Sequence, residues 1–143
     1  DDTGLEVDAL GGAPGVYTAR YAGEGKDFNA NIDKVLYELS VCEKEAKMAE
    51  AMGLKVKPVS RRARFKSVIT LIVNGEIKMF EGALEGEISR EKSGNGGFGY
   101  DPIFIADEYP GMTLADITEE EKNAISHRGK ALRAMAEWLK NNA

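Results

Sequence analysis

The sequence has a single cysteine, Cys42, a single histidine, His127, and no excess of positive charge. A lone cysteine excludes a disulfide within the chain and fits a reducing compartment, the cytoplasm. Lys and Arg number 19 against 24 Asp and Glu, a formal net charge of −5. That balance argues against a general nucleic-acid surface or an anionic membrane surface. It leaves room for an anionic small ligand held by local basic residues. No apolar run approaches the length of a bilayer span. An initiator methionine is also missing: the chain opens Asp1-Asp2-Thr3-Gly4, and Asp1 reads as an interior residue exposed by truncation or processing. What is present is 43% hydrophobic and 30% charged over 143 residues, enough for one domain with a substantial core.

Glycine concentrates in Ser93–Phe104, which reads S-G-N-G-G-F-G-Y-D-P-I-F. Such a loop lets other groups approach the main chain closely. It carries Phe98, Tyr100 and the acid Asp101, so a planar ligand could lie against Phe98 while backbone groups read its edge. The plainer alternative is a turn whose Phe98 anchors in the core. At the other end of the chain, Asp1 and Asp2 followed by Thr3 and Gly4 could hold Mg²⁺ beside a phosphate, since hard cations take oxygen ligands. A solvated chain end is the alternative there.

Between these stretches the pattern predicts a strand around Leu5 and Val7, a loop over 11–25, and an amphipathic helix over Asp27–Leu39. It then predicts a second helix over Glu43–Met52 ended by Gly53, and a connector from Leu54 to Ser60. Arg61–Val73 alternates as a strand and turns apolar on both faces after Ser67, which predicts burial of its far half on both sides. Asn74-Gly75 is a hairpin signal. Ile77–Ile88 returns, with Gly82 and Gly86 marking a bulge or a close backbone approach. Arg61, Arg62, Arg64 and Lys66 could attract phosphates or form a solvated edge. Thr113 with Asp116 three residues on predicts a helix start. Ser126 is placed to cap the last helix, with His127 and Arg128 in its first turn. A helix N-terminus favours anions and lowers the pKa of a histidine set there.

Three stretches together resemble one family. They are D-D-T-G-L-E-V-D-A-L-G-G-A-P-G-V-Y-T-A-R-Y-A-G at Asp1–Gly23, G-G-F-G-Y-D-P-I-F at Gly96–Phe104 and E-E-K-N-A-I-S-H-R-G at Glu120–Gly129. In type and order they are similar to the inosine triphosphate pyrophosphatases, which hydrolyse non-standard purine nucleoside triphosphates. The resemblance covers nearly the whole chain. It implies one α/β domain with an elongated, two-lobed shape, a long mixed β-sheet flanked by helices, and a cleft between the lobes. It further implies Mg²⁺, a purine nucleoside triphosphate as substrate, a homodimer, and neither nucleic acid nor membrane as partner. Carried over by position, Asp2 is the catalytic acid and metal ligand, and Thr3 contacts substrate. Phe98, Gly99, Tyr100 and Asp101 hold the base, with Phe98 stacking on it, and Lys122, His127 and Arg128 make further nucleotide contacts. The family's earlier Ser/Thr-x-Asn-x-x-Lys phosphate motif is not in this sequence, so the chain is expected to be N-terminally incomplete and slow on its own. The alternative implied is a nucleotide-binding or dimerisation module without catalysis. Ser40–Pro58 is longer and more charged than the resemblance leads one to expect.

Overall fold

The computed structural model describes residues 2–25 and 27–142, with Asp2 and Thr3 described through their backbone alone. Four strands form one sheet in the order β1 (Asp2–Val7), β2 (Arg62–Val73), β3 (Glu76–Ile88) and β4 (Phe104–Ala106). The α/β class holds. Every pairing among the described strands is antiparallel, so the mixed character implied by the resemblance is not carried by these strands. The β2–β3 hairpin turns on Asn74 and Gly75, with φ of 52° and 80°. Two successive positive φ values match the right-handed twist of the flanking strands, which is why Asn-Gly sits there.

Strand periodicity sorts the sheet into two unlike faces. Leu5, Val7, Ala63, Phe65, Leu84 and Ile88 point into the core, where α1 (Phe28–Ala51) contributes Ile32, Val35 and Leu39. On the other face the basic cluster of β2 is spent on acids. Arg62 pairs with Asp107, Arg64 with Asp8 and Glu85, and Lys66 with Glu81. Arg64 in turn holds the Asp8 carboxyl below its ordinary pKa by a direct hydrogen bond. Arg61 bonds Glu43 of α1 and the carbonyls of Ile88 and Ser89, tying the helix to the end of β3.

Three local expectations are corrected. The predicted pair of helices is one helix, α1, capped by Asp27, whose carboxylate accepts the Asn29 and Ala30 amides. The Ser40–Cys42 break does not occur because Ser40 turns its hydroxyl back onto the Tyr37 carbonyl inside the helix. Thr113 does not start a helix. The chain forms a turn there, and α2 (Glu119–Ile125) begins after Thr118, which makes a capping box with Glu121. The far half of the hairpin is not buried on both sides: Ile72 is 71% exposed, and Ile77 and Met79 stand beside it in solvent. The apolar run records residue type; coverage depends on α3 (His127–Asn142), which lies on the opposite face, with Trp138 beside Phe80.

That helix reaches the sheet because β3 has no side chain at Gly82. A Cβ there would overlap the His127 carbonyl oxygen, with the Ala131 nitrogen 2.6 Å away. Gly86 likewise leaves room for the Phe104 ring. Both are close backbone approaches rather than bulges, since β2 and β3 keep register through them. We expect Gly82→Ala to push α3 off the sheet and cost about 2–3 kcal/mol, as overpacking does. Thermal unfolding should show this as a midpoint several degrees lower, and an unchanged midpoint would contradict the packing described.

Candidate active site

The glycine loop leaves β3 and returns through a short turn at Asp101–Ile103 into β4. Its first half is exposed and buries nothing. At Tyr100 the chain dives into the core, where the ring meets Phe28 edge-on at 5.7 Å and the hydroxyl donates to the Thr18 carbonyl at 2.6 Å. Burial raises the Tyr100 pKa far above its ordinary value, so the hydroxyl stays a donor. Tyr100 is thus the anchor of the loop, while Phe98 stays 78% exposed.

Asp101 turns its carboxylate back under the loop. It is 5% exposed. Its Oδ2 accepts the Phe98 amide at 2.9 Å and the Lys122 ammonium at 2.5 Å. Gly97 is needed for this turn: its φ is +70°, and a Cβ would run into the Asp101 carboxylate. Lys122 comes from the last turn of α2 and lies 4.7 Å from the centroid of Phe98. One buried charge pair therefore fixes an exposed ring and a cation side by side. Removing either partner would strand the other charge, which typically costs about 3–5 kcal/mol.

His127 opens α3, with the Ser126 hydroxyl accepting the Gly129 amide at 3.0 Å. Its imidazole stacks on Phe65 at 5.2 Å with 18° between the planes. Nδ1 is buried with no hydrogen-bond partner. Desolvation pushes its pKa down to about 4; Asp101 pulls upward, and Lys122, Lys130 and Arg128 push further down. The downward direction matches the expectation from the helix start, but burial is the main cause.

Phe98, Gly99, Tyr100, Asp101, Lys122 and His127 all line one cavity of about 120 Å³. The sequence reading missed Phe28, Phe65, Thr18, Leu84, Leu114 and Ser126, which complete the wall. Phe28 and Phe65 carried only the periodicity of core residues, and nothing local marks a core aromatic as a cavity wall. Arg128 follows His127 at an exposed position and is not part of the lining. Asp2 lies opposite Val68 and Thr3 opposite Ser67 in the sheet. The side-chain roles expected for Asp1, Asp2 and Thr3 fall outside the described residues. Among the described residues no three of His, Cys, Asp and Glu gather into a metal cluster, and no helix is long and apolar enough to cross a membrane.

The cavity is apolar in the main, and the exposed Phe98 ring, Lys122 and His127 in its lining give it the composition of a pocket able to take a flat, polar-edged ligand. The chain belongs to the Ham1 family, whose model matches residues 1–138. It is 47% identical over 141 residues to a dITP/XTP pyrophosphatase of Flavobacterium psychrophilum, covering 99% of this chain and 65% of that protein. It is 48% identical to a dITP/XTP pyrophosphatase of Bacillus subtilis, covering 97% of this chain and 63% of that protein. A solved HAM1 protein from Coxiella burnetii superposes with a TM-score of 0.82 at 38% identity, over 98% of this chain and 65% of that one. The chain thus spans somewhat less than two thirds of the length of these relatives.

As the sole histidine, His127 can be followed by proton NMR without assignment. We expect its ring signals to titrate with a midpoint near pH 4, not near the ordinary value of about 6.5. The unfolded chain takes up this proton below about pH 6.5 while the folded protein does not, so stability should fall as pH drops from there towards 4. A midpoint at the ordinary value would contradict the burial of the ring.

Proposed function

We propose that this protein hydrolyses non-standard purine nucleoside triphosphates (ITP, dITP and XTP) to the monophosphate and pyrophosphate, removing them from the nucleotide pool. The observation that carries this reading is the joining, in one cavity, of the exposed Phe98 ring, the Lys122 ammonium and the His127 imidazole. The names of the relatives point to the same chemistry. The base lies on Phe98, as bases do on aromatic platforms. Lys122 donates to a keto oxygen on the base edge, and Arg128, outside the lining, is left to reach the nucleotide from its rim. An adenine amino group is itself a donor and cannot pair with an ammonium; a buried polar group left unpaired costs roughly 1–3 kcal/mol.

At the phosphate end, Asp2 accepts a proton from water as its oxygen attacks the α-phosphorus. The bond from that phosphorus to the bridging oxygen breaks, and pyrophosphate leaves with the electron pair. Thr3 contributes a hydroxyl to the substrate. The donor chemistry of Asp2, a single hard carboxylate oxygen set, fits Mg²⁺ shared with substrate phosphates. That ion would neutralise charge on the phosphates. The reading includes a homodimer in the cytoplasm.

Pyrophosphate release in Mg²⁺ tests the proposal. ITP, dITP and XTP should be turned over slowly and ATP not at all. Asp2→Asn keeps the side chain's shape but removes its charge and basicity, so it should abolish turnover with circular dichroism unchanged. Phe98→Ala should weaken nucleotide binding by about tenfold, the scale of one base–aromatic stack. Turnover of Asp2→Asn within a few-fold of wild type would remove Asp2 from the mechanism. Tight ITP binding without pyrophosphate release would leave a nucleotide-binding module in place of an enzyme.

A further inference from the structure

Asp101 accepts the Phe98 amide from one side, but the exposed first half of the glycine loop, 93–97, has no side chain in the core to hold the other. An exposed glycine-rich segment is otherwise free to sample many conformations. The turn that replaces the expected Thr113 helix start supplies the hold. Thr113, Leu114, Ala115 and Ile117 are buried, and Asp116 alone among 113–117 stands out of the core. Its carboxylate accepts the Thr113 amide at 3.0 Å and the Ser93 hydroxyl at 2.9 Å. The Thr113 hydroxyl donates to the Ser93 carbonyl at 2.8 Å, and the Gly96 amide donates to the Ala115 carbonyl at 3.2 Å. Gly94 sits in the crook with a φ of +88°, where a Cβ would lie 2.7 Å from Asp116 Oδ1 and 2.6 Å from the Ala115 carbonyl. Only glycine admits the carboxylate this closely.

The same turn runs through Ile117 into Thr118, the cap of α2, which carries Lys122. Ring and cation are thus referred to one buried turn: Lys122 through the helix, and Phe98 through the loop stitched to Asp116.

We propose that Asp116 is a positioning residue for base binding: it pins the glycine loop to the 113–117 turn and so sets the Phe98 ring against Lys122. This rests on the reading of Phe98 as the platform for a purine base. With the pin removed, the first half of the loop loosens and must be ordered again when ligand binds, and that ordering is subtracted from the affinity.

The test uses IMP and ribose 5-phosphate, the same ligand without its base, in equilibrium titrations, with amide hydrogen exchange as an independent readout. In Asp116→Ala and in Ser93→Ala, exchange of the Gly96 amide should quicken. IMP affinity should fall about tenfold, the scale of one hydrogen bond to a charged group. Ribose 5-phosphate affinity should not change. Asp116→Asn, which keeps one acceptor oxygen, should stay within about threefold of wild type for IMP. Unchanged IMP affinity in Asp116→Ala, unchanged Gly96 exchange, or an equal loss for both ligands would overturn the proposal. Failure of the underlying reading shows separately: wild-type protein would then bind IMP no tighter than ribose 5-phosphate, and the inference would fall with it.

Discussion

The Asp101–Lys122 pair is the constraint on which the site depends. Both side chains are largely withdrawn from water, at 7% and 15% exposure. An ion pair in such a place contributes little to net stability, because the desolvation of two charges offsets most of their attraction. Its value lies in geometry. The same carboxylate holds the Phe98 amide, so the lysine, the ring and the loop share one anchor. The positive charge also faces His127 and helps to keep that imidazole neutral. On the proposed function, a neutral, keto-bearing base requires donors that are fixed in place and a ring with an open face, and this arrangement is consistent with both.

The two faces of the sheet divide the work. One face carries the core and admits α3 at Gly82, which brings His127 onto Phe65. The other face holds its charges in a ladder of pairs running from Arg62 to Lys66. The basic cluster of β2 is therefore a structural feature of the sheet, matched by Asp8, Glu81, Glu85 and Asp107, and not a ready phosphate site. The cation that lines the cavity, Lys122, is set instead by α2.

Much of this was legible in the residues. The hairpin followed from Asn74-Gly75, and the strand faces followed from the alternation of β2. The close approaches followed from Gly82 and Gly86, and the last helix from Ser126. What failed did so for stated reasons. Thr113 with Asp116 has the spacing of a capping box, and the acid does accept the Thr113 amide, yet both side chains also bond Ser93 across the chain, contacts no local window contains. The break read at Ser40–Cys42 overlooked that a serine can satisfy its hydroxyl within a helix. Residues named by the resemblance do meet in space: Phe98, Tyr100, Asp101, Lys122 and His127 share one cavity. Their supports, Phe28 and Phe65, were hidden because a wall residue and a core residue have the same periodicity.

On the proposed function, this cavity selects a base by a keto edge facing Lys122. The most direct measurement is calorimetric titration of the protein with IMP and, separately, with AMP, which differ at that edge. The account predicts that IMP binds more tightly by about tenfold or more, the cost of setting a donor against a buried donor. Equal affinity for the two nucleotides, or tighter binding of AMP, would contradict it.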